Sequence, residues 1–245
     1  PTVLAALGAP TVGGRSLLGE FSEGLHLKRQ DGRVLTEALD LSDCQHAKHA
    51  VIVLLDGLMA SEINHHIMSA TPDIQLPNMR WIAERGVIYR GGAVAGWPSF
   101  SAPGHMTVGT GVWSGQHGIV SNSFYDREDR TTLSFFGFIT KPEMLVQDSS
   151  AYMKVYKKYV PPDIETLAQA AHRAFGPWDP DTNEGAFVAV LNDFPILGAD
   201  RTSFDLIAPT SPSFAHNLDL TNLADDFALN QALSLLEDSS LPTPK

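Results

Sequence analysis

Two residues of this 245-residue chain have the types and the order that a hydrolytic site needs. Asp56 directly follows the apolar run 51–55, and Ser101 stands at the start of a predicted helix further along the chain. In an α/β sheet, a strand delivers a carboxylate to its carboxyl edge, and a later turn into a helix presents a hydroxyl there. A divalent metal held by the carboxylate activates such a hydroxyl as a nucleophile. The pair therefore predicts hydrolysis of a phosphorus or sulfur ester.

Each of these residues also has an ordinary structural explanation. An Asp before a glycine, as at Asp56, is typical of a turn in which the carboxylate bonds its own backbone, and Ser101 is a plausible helix N-cap. Ser99 is a second hydroxyl nearby, but only Ser101 stands directly at the predicted helix start. His105 lies one turn after Ser101 on the same helix face, where it either bonds at the site or packs beneath it.

The composition excludes several classes of protein and of site. The chain has 17 Lys and Arg against 28 Asp and Glu, which gives a net charge of −11, and it has no long basic block. A nucleic-acid polymer is not expected as a partner, because it would need a basic surface. Cys44 is the single cysteine, which excludes an intrachain disulfide and a cysteine-rich zinc site. No apolar run reaches the roughly 20 residues that span a bilayer.

The pattern of apolar residues predicts strands alternating with helices from residue 51 onward. The predicted strands are 51–55, 87–94 and 187–191, and the predicted helices are 58–69, 77–85, 101 to about 110, 163–175 and 221–237. The first strand is entirely apolar, which is typical of a strand covered on both faces. We therefore predict an α/β fold with a central, mostly parallel sheet flanked by helices on both faces.

The first 50 residues are predicted separately from the rest. Residues 1–50 read as an N-terminal extension or a set of short, hairpin-like strands, with turn signals at Gly13-Gly14 and Asp31-Gly32. Residues 51–245 read as one unit that ends with a helix stop and an extended, proline-containing segment. We expect a further element, a strand, after Lys245.

Four segments, in the same order, resemble the type I phosphodiesterase/nucleotide pyrophosphatase family of the alkaline phosphatase superfamily, in the branch that includes phosphonoacetate hydrolase. The segments are VIVLLDGL, LPNMRWIAERGV, PSFSAPGH and the Thr-Gly and His-Gly-Ile of TGVWSGQHGI, which VSNSFYDRE follows. Together they cover residues 51–128. The resemblance implies the alkaline phosphatase-like fold and the hydrolysis of small phosphodiester, pyrophosphate or phosphonate substrates.

The resemblance also implies roles for individual residues. Asp56 would be a metal ligand, and Ser101 would take the place of the family's threonine nucleophile, which also contacts metal. Two divalent ions, zinc by resemblance, would be the cofactors. Asn122 and His105 are predicted to contact the substrate. The resemblance favours a location outside the cytoplasm.

The rest of the family's metal site is not recognisable in these 245 residues. The family takes further ligands from an Asp-x-x-x-His segment, an Asp-His pair and a late His. The segment TSPSFAH ends in His216, but Pro212 stands where the first of these segments has its Asp. We therefore expect the missing ligands after Lys245, with residues 51–245 forming the N-terminal part of an alkaline phosphatase-like hydrolase domain.

Two alternatives remain open at this point. The first is a sulfatase or a phosphomutase on the same scaffold, although a sulfatase would need Cys/Ser-x-Pro-x-Arg and this chain has His105 in place of the arginine. The second is a catalytically silent binding domain, because two candidate ligands do not hold two ions firmly.

Overall fold

The computed structural model describes residues 1–40, 45–69, 74–134, 150–191, 193–202 and 229–241. The helices are α1 (Thr2–Ala6), α2 (Ala60–Met68), α3 (Pro77–Arg85), α4 (Ser101–Thr110), α5 (Ser114–His117), α6 (Ser150–Tyr159), α7 (Leu167–Phe175) and α8 (229–237), with a 3-10 turn at Thr36–Ala38. The strands are β1 (Val12–Arg15), β2 (Phe21–Leu25), β3 (Ser123–Asp126), β4 (Thr131–Ser134), β5 (Ala189–Val190) and β6 (Arg201–Thr202). None of the described helices has the length and apolar character needed to span a bilayer.

The described strands form small sheets. Strands β1 and β2 pair antiparallel, as do β3 and β4, while β5 and β6 pair parallel, so each of the three sheets has two strands. Strand β5 lies within the predicted strand 187–191, whereas its partner β6 was not predicted. The predicted central, mostly parallel sheet is not present among the residues that the structure describes.

The predicted buried strand 51–55 is wrong for this structure. Residues Val51, Ile52, Val53, Leu54 and Leu55 form no strand, and between 39% and 71% of each is exposed. The second predicted strand, 87–94, is also wrong, since a turn lies within it and Val94 is 86% exposed. An apolar run becomes a strand only when a neighbouring strand pairs with its N–H and C=O groups. No described segment does so here.

Helix boundaries agree better with the sequence pattern. Helix α3 occupies the predicted 77–85, with proline in its first turn and Gly86 at its C-cap. Helix α7 begins later than predicted because Thr166 caps it. The Thr166 hydroxyl accepts a hydrogen bond from the Gln169 N–H, and the Gln169 side-chain oxygen accepts one from the Thr166 N–H. For the last predicted helix, 221–228 lies outside the described residues and 229–237 is helical.

The main core is built around α4. Its buried residues lie on α4 and α6, in the segments that follow α4, α5 and α6, and in the segment after β5. They are Ala102, Met106, Val112, Ile119, Tyr156, Val160, Ile164, Phe194 and Ile196. Helix α6 was missed by the sequence analysis, although Val155, Tyr156 and Tyr159 have helical spacing and pack on this core. The core therefore fixes the helix that carries Ser101 from two directions.

The residues before position 51 contact the part of the protein that contains α7. The turn between β1 and β2 lies at Gly19, with a φ of +74°, whereas Gly13 and Gly14 lie within or beside the β1 ladder rather than in a turn. The Lys28 N–H donates to Glu165 Oε1 at 3.0 Å, and the Glu165 carboxylate also binds Arg173. These bonds connect the N-terminal segment to α7.

Candidate functional site

The structure brings together the two residues that the sequence analysis selected. The Ser101 hydroxyl donates a hydrogen bond to Asp56 Oδ2, and the two oxygens are 2.6 Å apart. Asp56 lies in a turn with Gly57, whose φ of +72° is in the left-handed region that glycine adopts without strain. Asp56 is exposed, so the pair is open to solvent and to a substrate.

Ser101 is the first residue of α4 and not its N-cap, so the predicted N-cap role is wrong. Phe100 holds the N-cap position in an extended conformation, and no side chain of the cap residue bonds the helix. Pro103 lies in the first turn, where its lack of an N–H costs nothing. The Ser101 hydroxyl is consequently directed to Asp56 instead of to the helix backbone.

The Asn122 side chain binds the first turn of α4 from outside the helix. Its Oδ1 accepts a hydrogen bond of 2.8 Å from the Ala102 N–H, next to Ser101. Because a backbone N–H can only donate, the accepting atom must be the amide oxygen Oδ1, and Nδ2 is the donor atom of the same amide. Asn122 directly precedes β3, which positions it. An amide donor and the positive end of a helix thus lie close to the serine.

His105 lies one turn after Ser101 and pairs with a residue that the sequence analysis did not select. Its Nδ1 is 2.6 Å from Asp193 Oδ1, and its ring packs edge-on against Phe194. Burial lowers the pKa of His105, but the hydrogen bond that His105 donates to Asp193 and the charges of Asp193 and Asp56 outweigh it and raise that pKa above its ordinary value. Asp193 closely follows the predicted strand 187–191. A carboxylate just after a strand is the sequence signal that could have identified it as a site residue.

His117, in the His-Gly-Ile segment, is a structural residue. It is fully buried, its Nδ1 accepts from the Ile119 N–H, and its Nε2 lies 3.2 Å from the Thr107 hydroxyl. Burial lowers its pKa to about 4, so the ring is neutral at pH 7 with the proton on Nε2. Gly118 is the C-cap of α5, and its φ of +80° lies in the left-handed region that glycine adopts without strain.

The donor set fits part of a metal site. Asp56 and Ser101 offer hard oxygen ligands within 2.6 Å of each other, which suits a divalent cation. Within the described parts of the chain, no three His, Cys, Asp or Glu side chains gather as a metal-binding group. Most zinc sites have four ligands, so these two oxygens would supply only part of the coordination of one ion. His216 lies outside the described residues.

Comparison with protein families identifies a matching family. A family model described as type I phosphodiesterase / nucleotide pyrophosphatase matches residues 50–184, more than half of the chain and the whole of the Asp56–Ser101–Asn122 region. Searches of curated proteins and of solved structures return no match.

Proposed function

The chain belongs to the type I phosphodiesterase / nucleotide pyrophosphatase family, and on this premise we propose that it is a metal-dependent hydrolase with Ser101 as its nucleophile. The family is one of hydrolases that act on small phosphoester substrates, and it implies an alkaline phosphatase-like α/β fold. The proposed substrates are phosphodiesters, pyrophosphates or phosphonates, and phosphonoacetate is an example of the phosphonates.

The observation that carries the proposal is the 2.6 Å bond from the Ser101 hydroxyl to Asp56 Oδ2. A serine hydroxyl is a weak nucleophile at neutral pH and needs a group that takes its proton or stabilises its alkoxide. The hydroxyl hydrogen already points at a carboxylate oxygen, so the path for the proton is short. The positive end of α4 favours negative charge on Ser101 Oγ.

Two divalent ions, zinc by family resemblance, are part of the proposal. Asp56 and Ser101 would hold one of them through their side-chain oxygens. When bound, such an ion supplies Lewis-acid stabilisation of the serine alkoxide and of the phosphoryl oxygens.

Asn122 is proposed to bind the substrate. Its Oδ1 is occupied by the Ala102 N–H, so Nδ2 remains to donate to a non-bridging phosphoryl oxygen beside Ser101. An amide held in this way is fixed before the substrate arrives, and fixed donors stabilise the charge that develops in the transition state. His105 lies one turn after Ser101 on α4, where Asp193 holds its ring, and it is proposed as a further residue near the substrate.

The proposed reaction has two steps. Ser101 Oγ attacks phosphorus in line with the leaving group, an Oγ–P bond forms, and the bond from phosphorus to the leaving group breaks with its electron pair going to the leaving atom. The Ser101 proton passes to Asp56. Water then attacks phosphorus, a bond from phosphorus to the water oxygen forms, and the Oγ–P bond of the phosphoryl-serine or nucleotidyl-serine intermediate breaks with its electron pair going to Oγ. Asp56 returns the proton to Oγ, which restores the Ser101 hydroxyl, and the attacking water releases one proton to solvent.

The test is hydrolysis of an aryl phosphodiester, an aryl phosphomonoester and phosphonoacetate by the purified full-length protein. Ser101→Ala is expected to lower kcat by about 10⁴-fold or more, as loss of a nucleophile does. Ser99→Ala is the matched control and should keep kcat within about threefold of the wild-type value. Wild-type activity in Ser101→Ala would overturn the assignment of the nucleophile. No turnover of any substrate by the zinc-loaded wild-type protein would favour a silent binding domain.

A further inference from the structure

Helix α4 has a buried face and an open face. The buried face includes Ala102 and Met106, which are fully enclosed in the core. The open face carries Ser101, Gly104 and Val108, which follow one another at spacings of three and four residues and are all partly or largely exposed. Gly104 therefore lies between the proposed nucleophile and Val108, which is 41% exposed.

The space beside Gly104 on this face is open. Outside its two chain neighbours and the backbone of α4, no described atom lies within 4 Å of the position that a Cβ would take. The side chain of the neighbouring His105 bonds Asp193 and is 12% exposed, so it is engaged in another contact. The open face of α4 consequently has a depression, one side chain deep, between Ser101 and Val108. We call it the Gly104 depression.

Packing does not explain a glycine at this position. Glycine is the least favourable residue of a helix interior after proline, and Gly104 is the fourth residue of α4. Its N–H donates the regular helical bond to the Phe100 carbonyl at 3.0 Å, so the backbone there suits any residue that favours a helix. Gly109 of the same helix differs, because a Cβ there would lie 2.3 Å from Pro195 side-chain atoms. Close packing requires Gly109, whereas the space at Gly104 stays open.

The direction of attack decides which part of a substrate can lie over Gly104. In an in-line displacement the leaving group departs from the side of phosphorus opposite to Ser101 Oγ, away from the nucleophile. The ester group that phosphorus keeps lies to the side of this line and therefore beside Ser101. Side chains three residues apart on a helix have Cβ atoms roughly 5–6 Å apart, a distance that an aryl ring on the retained P–O bond spans.

We propose that the Gly104 depression is a subsite for the retained ester group of a phosphodiester, and that Gly104 selects substrates in which this group is bulky, flat and uncharged, such as an aryl group. Val108 forms the apolar far wall, and Phe100, directly before Ser101, is 46% exposed and adds aromatic surface near the site. None of these side chains carries a charge or a hydrogen-bond donor, which favours an apolar group. The inference rests on the proposed function, because the subsite acts only beside a nucleophile.

The experiment compares two phosphodiesters that share a leaving group, with the full-length protein. Bis(4-nitrophenyl) phosphate retains an aryl group after attack, and methyl 4-nitrophenyl phosphate retains a methyl group, while both release 4-nitrophenolate. In Gly104→Leu the new side chain fills the depression. The ratio of kcat/KM for the bis-aryl ester to kcat/KM for the methyl ester should therefore fall by about 10-fold or more. Gly104→Ala fills less of the depression and should give an intermediate ratio.

Gly115→Leu is the matched control. Gly115 also lies in a helix, α5, and no described atom outside its chain neighbours and helix backbone lies within 4 Å of its Cβ position. This variant should keep the wild-type ratio for the two esters. Thermal unfolding checks the fold separately: Gly104→Ala should raise the melting temperature, because alanine favours a helix more than glycine does and the space for its Cβ is open. A lower melting temperature would contradict the open depression.

Binding without turnover gives a second readout. Diphenyl phosphate is the probe, and the protein carries Ser101→Ala so that the probe is not hydrolysed. Calorimetry should show the Kd of diphenyl phosphate rising by about 10-fold or more when Gly104→Leu is added, and staying within about threefold when Gly115→Leu is added. An unchanged Kd in the Gly104→Leu protein, or no binding of diphenyl phosphate to Ser101→Ala, overturns the inference.

Failure of the subsite is distinct from failure of the proposed function. If hydrolysis depends on Ser101 but Gly104→Leu keeps the wild-type ratio for the two esters, the subsite is removed and the nucleophile remains. If Ser101→Ala keeps wild-type activity, or the wild-type protein hydrolyses neither ester, the proposed reaction is removed. The diphenyl phosphate titration then still decides whether the Gly104 depression binds an aryl group.

Discussion

The Ser101 hydroxyl and the Asp56 carboxylate form a hydrogen bond of 2.6 Å across 45 positions of the chain. Neither oxygen is required by secondary structure, because Ser101 does not cap α4 and the turn at 56–57 is formed with a glycine of positive φ. Because the pair is open to solvent and neither side chain is needed to form the helix or the turn, both side chains are available for chemistry.

Asp56→Asn should remove the negative charge while keeping an oxygen that can accept from Ser101. Because divalent ions bind ionised carboxylates more tightly than amides, the metal content after dialysis should fall, and kcat/KM should fall by at least about 100-fold. Elemental analysis and phosphodiester hydrolysis measure the two effects. Asp181→Asn, on an exposed residue, is the control and should change neither. An Asp56→Asn protein with full metal content contradicts the ligand role.

Two substitutions at Asn122 separate its two hydrogen-bonding functions. Asn122→Ala removes the acceptor for the Ala102 N–H and should lower the free energy of unfolding by about 1 kcal/mol. Asn122→Asp keeps that acceptor at a helix N-terminus but lacks the Nδ2 donor, so stability should be retained. Both should lower kcat/KM by about 10²-fold. Wild-type kcat/KM in Asn122→Asp would argue against phosphoryl binding by Nδ2.

Gly118→Ala should destabilise the fold strongly. Gly118 has a φ of +80°, and a Cβ there would lie 2.3 Å from the carbonyl oxygen of Tyr159. Backbone strain and a clash with backbone together should cost more than about 2 kcal/mol of unfolding free energy, measured by urea titration. Gly115→Ala is the matched control, since Gly115 lies in α5 with open space around its Cβ position and should change stability by less than about 1 kcal/mol. Equal stability of the two variants would contradict the close approach of α6 to this turn.

His117 should make the fold sensitive to acid in a defined range. Burial lowers its pKa from 6.5 in the unfolded chain to about 4 in the folded protein. Between these values the unfolded state binds a proton that the folded state does not, so stability is full above pH 6.5 and falls as the pH drops towards 4. The loss amounts to about 3 kcal/mol.

The measurement is urea unfolding of His117→Gln and of the wild type between pH 7 and pH 4. The variant should start less stable at pH 7 and lose less stability on acidification, because it has no imidazole to protonate. His49→Gln, on an exposed histidine, should keep the wild-type slope with pH. A wild-type slope in His117→Gln would show that other groups cause the acid sensitivity.

Features that depend on neighbouring residues were predictable from the sequence. The bounds of α3 follow from Pro77 at its start and Gly86 after its end, and α4 ends before Gly111, whose φ is +73°. Such stop and start signals act within a turn or two of the backbone. The hydrolase family was predictable in the same way, because its motifs are short segments in a fixed order and the family model matches them.

The sheet was not predictable in this way. Residues 51–55 have the composition of a buried strand, but composition does not supply the partner that a strand needs, and the described structure leaves all five side chains exposed. The composition of residues 51–55 therefore indicated that they could form a strand. Whether they do depends on a pairing strand from another part of the chain, and no described segment supplies one.

The sequence by itself indicated the candidate residues for chemistry: a carboxylate at Asp56, a hydroxyl at Ser101 and an imidazole one helical turn later. Only the tertiary structure decided how they are supported, with Asn122 at the Ala102 N–H and Asp193 on His105. These bonds join residues 20 and 88 positions apart. No local preference encodes such a contact, because it exists only when the intervening chain has packed α4 against β3 and the segment after β5.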